Sequence, residues 1–374
     1  MANTLRILYI SHLHPPKNKP LKSIGGMQNV SLQMIKSMKR RDDLEIETII
    51  LHSSWRFIGI KTFIFLVRLL WRIPSAVKRF QPDVILFSSM VTSGVLPAMV
   101  RKPKVPCVTI NHGQDVTLPN PVYQWYVPKI FKNMSGVISV SSATRQASID
   151  RGMAPEKGRA LFNGFDAASE RNQPEKPAAR KMLEDEFGID LGESKILLTV
   201  GRHVKRKGHE WFIREAFARI QSDVVYMIVG DGPELDNIIL AKEQSGKREK
   251  IVLTGRLPLE MLHVCYAAAD IFIMPNIPVE GDMEGFGIVL LEANRSGVPA
   301  VASDLEGIKD VIKQGVNGYR LPHGDAEAFA GNIDSILNNE LESLSKTSRE
   351  YVMSTFTWDA VIENYVSFLR SVND

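Results

Sequence analysis

Short runs of β-branched and other apolar residues alternate with stretches of helical length along the whole chain, and the theme occurs twice. In the first half the strand candidates are Leu5–Ser11, Glu45–Leu51, Val84–Phe87, Val105–Asn111 and Gly136–Ser141. In the second half they are Ile196–Val200, Val224–Val229, Ile251–Thr254, Ile271–Pro275 and Pro299–Ser303. Several runs are apolar throughout, the pattern of parallel strands covered on both faces. Helical segments such as Gly208–Ile220 and Pro233–Gln244 lie between them. This alternation predicts an α/β chain of parallel, doubly wound sheets with right-handed crossovers.

A length of 374 residues suits two such domains. The polar stretch 166–194 carries two prolines and one helical pattern near Glu175–Phe187, and it is the expected junction between a first domain, 1–165, and a second, 195–357. Trp358–Val372 is amphipathic and is expected to close the fold as a docked helix. Two Rossmann-like domains facing each other leave a cleft lined by the carboxyl ends of both sheets, where ligands of such folds bind.

The net charge of +4 hides an asymmetry. Residues 1–165 hold 23 Lys and Arg against 8 Asp and Glu, net +15, and residues 166–374 hold 23 against 34, net −11. A basic half points to an anionic partner such as a membrane surface or nucleic acid. No recognition module or aromatic–basic interleaving of a nucleic-acid binder is present, so nucleic acid is not expected. Cys107 and Cys265, both in strand-like contexts, read as buried free thiols. No run of eighteen uninterrupted apolar residues exists and the start lacks a secretory signal pattern, so a cytoplasmic location is expected.

Candidate site residues lie at strand ends. Gly25-Gly26 precedes a helical pattern and permits an anion to approach free backbone N–H groups; the alternative is a flexible loop closing. No G-x-G-x-x-G fingerprint stands in a strand–helix context, which disfavours a nicotinamide enzyme. His112 follows the strand Val105–Ile110 and is expected to face the cleft, or else to be a satisfied structural histidine, while His12 and His14 carry less weight. Gly201-Arg202-His203-Val204-Lys205-Arg206-Lys207-Gly208 places four basic side chains between a strand and a helix, suited to a diphosphate or, alternatively, to a solvated turn. No His/Cys/Asp spacing resembles a zinc site, and no metal or other cofactor is expected.

The stretch Gly281–Ala293 is the most informative. Gly285 and Gly287 flank an expected helix start, Glu284 precedes it, and Glu292 lies eight residues later. On a helix that spacing rises about 12 Å with the side chains about 80° apart. Two carboxylates acting on one bond, as in retaining glycosidases, sit only about 5–5.5 Å apart. The spacing instead suits two ends of one extended ligand, with a sugar, a diphosphate and a ribose.

EGFGIVLLE resembles the E-x7-E motif of retaining GT-B glycosyltransferases of family 4. IGG after the first strand, NHG at a cleft strand end, FNGFD at Phe162–Asp166, VGRHVKRKG at Val200–Gly208, IVGDGPE at Ile228–Glu234 and the late Phe356-Thr357-Trp358 extend the resemblance over essentially the whole chain. It implies a GT-B fold in which the first domain binds the acceptor, the second binds a nucleotide-sugar donor, and the C-terminal helix, 358–374, crosses back to the first domain. By position it implies Arg202 and Lys207 as diphosphate ligands and Glu292 as the ribose hydroxyl acceptor. Glu284, with the backbone N–H groups of Gly285, Phe286 and Gly287, would contact the transferred sugar. His112 would face sugar and acceptor, Gly25 and Gly26 would meet the donor phosphate, and Arg256 and Leu257 would lie near the nucleobase. One departure is visible: where the family often has Gly-Gly-x-x-Glu after Pro299–Ser303, this chain has Glu306-Gly307-Ile308-Lys309-Asp310.

The implied reaction is metal-independent hexosyl transfer with retention by front-face attack, Arg202 and Lys207 stabilising the leaving diphosphate. A UDP-sugar is the favoured donor, with GDP-mannose second. A catalytically silent scaffold or an anionic-surface binding protein is the alternative of another class. Trp55–Ile73 adds a partner. On a helix Lys61, Arg68 and Arg72 fall within an arc of about 40°, with apolar side chains around most of the remainder. Such a helix lies in a membrane interface or forms a core helix with one solvated edge. With the basic first half, it supports a peripheral association with the inner face of an anionic membrane and a lipid-linked or polysaccharide-precursor acceptor.

Overall fold

The computed structural model describes residues 4–14, 26–53, 58–167 and 173–373. The chain divides into two compact units. The first comprises Met1–Asp166, Gly281–Phe286 and Phe356–Asp374; the second comprises Ala167–Glu280 and Gly287–Thr355. The segment Gly281–Phe286, expected in the second domain from its place in the chain, thus belongs to the first unit.

The first unit holds β1 (Leu5–His14), β2 (Leu44–His52), β3 (Val84–Phe87), β4 (Cys107–Asn111), β5 (Gly136–Ser139) and β6 (Gly158–Ala160). They form one parallel sheet in the order β2-β1-β3-β4-β5-β6. The order of strand addition reverses between β1 and β3, so ligands of such a sheet meet it at the carboxyl ends of those strands. Because side chains alternate along a strand, the two faces of β1 serve different layers. Leu8 and Ile10 join a core with Phe65, Leu69 and Ile73 of the helix Ile58–Phe80 and with Val127, Ile130 and Phe131 of the helix Pro121–Lys132. Tyr9 points the other way, its hydroxyl 2.7 Å from Ser31 Oγ on the helix Gly26–Met38.

The C-terminal helix, Trp358–Ser371, is part of the same unit. Thr357 caps it, and Trp358, Tyr365 and Leu369 are buried. Trp358 Nε1 donates to Gln33 Oε1 at 3.1 Å, and Arg370 meets Asp43 at 3.0 Å. Gly136 lies where a Cβ would press on Phe368, so the helix sits directly on β5.

The second unit holds β7 (Lys195–Val200), β8 (Val224–Val229), β9 (Ile251–Gly255), β10 (Ile271–Met274), β11 (Ala300–Ser303) and β12 (Gly318–Leu321). The order is β12-β11-β10-β7-β8-β9, all parallel, with the order of strand addition reversing between β7 and β10. Leu197, Tyr226, Ile228, Ile271 and Ile273 pack against Phe212 and Phe217, Ile238, and Phe329 from the flanking helices. The helix Lys176–Phe187 belongs to this unit and ends at Gly188, whose φ of 62° lets the chain turn away.

Several expectations are corrected. The segment foreseen as one helix over Gly208–Ile220 is an α turn, a π turn and a 3-10 turn in succession, His209–Arg219. Cys265 stands on the helix Leu259–Ala268, not on a strand. Both thiols are free and buried, and burial pushes each up to about 12.

Candidate active site

In the first unit the carboxyl ends of β1, β3 and β4 enclose a small polar pocket lined by Ser11, His12, Ser31, Ser88, Ser89 and His112, among others. His112 Nε2 lies 2.9 Å from the Ser88 carbonyl oxygen. A carbonyl can only accept, so Nε2 donates, and in the tautomer that carries its hydrogen there Nδ1 is the acceptor for a group such as a hydroxyl. Asp115 holds the backbone beneath this ring. Its Oδ1 accepts from His112 N at 2.7 Å and its Oδ2 from Met90 N at 3.3 Å, so one carboxylate ties the end of β4 to the turn after β3. Burial pushes Asp115 up, opposed by His112 and by these N–H donors. Burial and the neighbouring His112 bring His12 down to about 4, and burial with His52 and His12 does the same to His14.

Glycine places Glu284 beside this pocket. Gly113 has φ of 96°, and a Cβ there would lie 2.7 Å from Gly285 Cα. A Cβ on Gly285 would overlap the His112 carbonyl oxygen. The two backbones therefore touch, and neither position accepts a side chain. Thr117 Oγ1 donates to the Gly281 carbonyl at 3.2 Å, and Thr144 Oγ1 to that of Gly285 at 3.4 Å. Phe286 is buried in an aromatic cluster with Phe162 and Phe356, at ring distances of 5.9 and 6.1 Å. These contacts draw Gly281–Phe286 into the first unit, with Glu284 and Phe286 both buried.

In the second unit Arg202, Lys205, Arg206 and Lys207 follow β7. Arg202 and Lys205 are exposed, whereas Lys207 is buried with its side chain over Gly201. The turn is locked to the end of β10: Ile277 N donates to the Arg206 carbonyl at 2.9 Å, and Gly208, φ 65°, lies against the Pro275 carbonyl. It is also locked to the turn after β8, where His203 N donates to the Asp231 carbonyl at 2.9 Å and Glu234 N to the His203 carbonyl at 3.0 Å. The basic cluster is thus a built turn at the reversal point of the sheet. Gly287 precedes the helix Ile288–Arg295, in which Glu292 accepts from Tyr266 Oη at 2.9 Å; burial pushes Glu292 up. Arg256, exposed beyond β9, lies 3.8 Å from Asp231, and Leu257 follows it.

The helical spacing expected for Glu284 and Glu292 does not hold, because the helix begins only at Ile288. Glu284 belongs to a loop of the first unit and Glu292 to a helix of the second. Gly26 is the first residue of the helix Gly26–Met38, while Gly25 lies outside the described residues. Lys61, Arg68 and Arg72 are exposed on the helix Ile58–Phe80, and Trp55 lies outside the described residues. Sequence reasoning did not single out Asp115, Ser88 or the buried His203–His209 pair. Those two rings meet edge to face at 5.3 Å with no hydrogen-bond partner on their nitrogens, and burial pushes both below the usual range. The available signal was position alone: Ser88, Asp115 and His203 each stand within four residues of a strand's carboxyl end, and His209 begins the helix after the basic turn. Among the described residues no group of three or more His, Cys, Asp or Glu is placed to hold a metal ion.

Two parallel, doubly wound sheets of six strands each are the architecture of the GT-B glycosyltransferase fold. Residues 24–169 match the family model described as Glycosyltransferase Family 4, and residues 183–352 match that of Glycosyl transferases group 1. The chain belongs to the family 4, group 1 glycosyltransferases. It is 27% identical to a GDP-mannose-dependent alpha-(1-6)-phosphatidylinositol monomannoside mannosyltransferase of Mycobacterium tuberculosis, over 70% of this chain and 68% of that one. Among solved structures it is similar to HepE of Anabaena in complex with UDP and glucose, with a TM-score of 0.74 and 18% identity over 98% of this chain and 100% of that one. Sucrose-phosphate synthase from Thermosynechococcus elongatus gives the same TM-score at 20% identity, over 98% of this chain and 99% of that one. These two likenesses are of fold.

Proposed function

We propose that this glycosyltransferase moves a hexose from a nucleoside-diphosphate sugar, with retention and without a metal, to a lipid-linked or polysaccharide-precursor acceptor at an anionic membrane surface. The observation that carries the reading is the built basic turn after β7, with Lys207 buried over Gly201. The turn gathers four basic side chains at the reversal point of the sheet, where ligands of such folds bind, and a diphosphate leaving group is the anion such a cluster suits.

In the reaction the bond from the anomeric carbon to the phosphate oxygen breaks, and the acceptor oxygen bonds to the same face of that carbon. The acceptor proton passes to a phosphate oxygen. Arg202 and Lys207 stabilise the charge that develops on the diphosphate. His112 accepts a sugar hydroxyl at Nδ1, and Glu284 with the backbone of Gly285, Phe286 and Gly287 orients the transferred sugar. Glu292 binds the ribose, Arg256 and Leu257 flank the base, and Gly25 and Gly26 meet the phosphate. The protein is cytoplasmic and peripheral in this reading; among the described residues no helix is long and apolar enough to cross a membrane.

UDP is the first donor reading. GDP-mannose is the second, supported by the GDP-mannose dependence of the mycobacterial relative. Glu284→Ala lowers transfer more than nucleotide binding, and Arg202→Ala lowers both. Full transfer in either variant, or a glycosyl adduct trapped on Glu284, contradicts the assignment.

A further inference from the structure

The helix Ile58–Phe80 has two apolar faces. Phe65, Leu69, Ile73, Ala76 and Phe80 are buried against the first sheet. Ile60, Phe63, Ile64, Val67 and Trp71 are exposed, Phe63 and Trp71 each to 67%. At about 100° per residue the exposed set spans about 100° of arc, centred opposite the buried set. Lys61, Arg68 and Arg72 form a row along one side of the exposed stripe and Lys78 closes its end, all exposed.

The neighbouring helix Pro121–Lys132 repeats the arrangement. It packs into the same core and so covers the same face of the sheet. Its outward side shows Val122 at 73% and Trp125 at 65% exposure, with Lys129 over the Trp125 ring and Lys132 exposed. Right-handed crossovers start each helix at the carboxyl edge of the sheet and run it back. Ile60, Phe63, Ile64, Val67, Val122 and Trp125 therefore stand in the halves of the two helices nearest that edge, where His112 also lies.

We infer that this two-helix face is a bilayer-insertion surface: the apolar stripe enters the acyl boundary of an anionic leaflet while the flanking cations meet its headgroups. Neither helix contains an Asp or Glu, so a second copy of this face offers no counter-charge, whereas anionic lipid does. Insertion also sets the sheet edge bearing His112 beside the leaflet, within reach of an acceptor carried on lipid. The inference rests on the membrane-surface acceptor of the proposed function and extends it from headgroup contact by one cationic row to insertion by two helices.

Sedimentation of the full chain with phosphatidylcholine vesicles, with and without phosphatidylglycerol, at low and high salt, tests it. The wild type partitions onto phosphatidylglycerol vesicles. The triple variant Phe63→Ser, Val67→Ser, Trp71→Ser loses at least about tenfold in partition at both salt levels, as removal of inserted apolar area requires. Lys61→Glu, Arg68→Glu, Arg72→Glu loses chiefly the preference for phosphatidylglycerol at low salt, and Val122→Ser with Trp125→Ser gives an intermediate loss. A wild type that stays in the supernatant at low salt overturns the inference. So does a serine variant that binds as the wild type does, or a wild-type dimer that the serine changes convert to monomer. Nucleotide-induced thermal shifts confirm that each variant is folded. A wild type that stays off the vesicles yet transfers to a soluble acceptor defeats this inference alone. Retained vesicle binding without transfer from any nucleotide sugar defeats the enzymatic reading alone.

Discussion

Glu306 has φ of 45°, and with Gln81 it is one of two non-glycine residues in the left-handed region among those described. It occupies the first position of the loop where the family often has Gly-Gly, so the departure noted in the sequence has a conformational cost of about 1 kcal/mol. Glu306→Gly should raise stability by about that amount in urea unfolding; a loss instead means that the side chain's contacts outweigh the strain. His12 and His14 make a second prediction. Both have folded values near 4, below the ordinary 6.5, so the folded state keeps them neutral where the unfolded chain takes up protons. Their contribution is fully present above about pH 6.5 and is lost as pH falls towards 4, up to roughly 3 kcal/mol apiece. Urea unfolding between about pH 7 and pH 5 should show falling stability, with a shallower slope in His12→Asn. An unchanged slope in that variant would contradict the burial argument.

Elements were most legible where one physical signal dominated. Val84–Phe87, Val224–Val229 and Ile271–Met274 are buried on both faces and appear in the sequence as unbroken apolar runs. The edge strands β6 and β12 were missed because Gly158-Arg159-Ala160 and Gly318-Tyr319-Arg320-Leu321 carry no such run; their partners on one side define them. The EGFGI stretch was visible as a motif but not as a structure. The sequence set Glu284 just before a helix and Glu292 on it and gauged their separation by helical rise, whereas the glycine contacts with His112 and the Phe286 cluster, both long-range, hold the first half of the motif in the other unit. Phe286 is the anchor of that segment. Phe286→Ala should cost about 3 kcal/mol, measured by urea unfolding, and should weaken transfer beyond the loss of stability, because Glu284 loses its support. A small change in both would show that the glycine contacts alone fix the segment.

For the whole molecule, the charge asymmetry read from the sequence acquires a location. The first unit's cations include the exposed rows on Ile58–Phe80 and Pro121–Lys132, while the second unit, acidic in sum, keeps Arg202, Lys205, Arg206 and Lys207 together after β7. Both sheets reverse their winding once; the basic turn follows β7 at the reversal point of the second sheet, and His112 follows β4, next to the β1 and β3 ends of the first. The central claim is that the basic turn binds the diphosphate of a nucleotide sugar without a metal. Titration calorimetry with UDP, GDP and ADP in EDTA, on the wild type, Arg202→Ala and Lys207→Ala, tests it directly. The wild type is expected to bind at least one of the three, and each variant to bind it at least about tenfold more weakly, the loss of one charge-assisted contact. A wild type that binds none of the three in EDTA, or variants that bind as the wild type does, would contradict it.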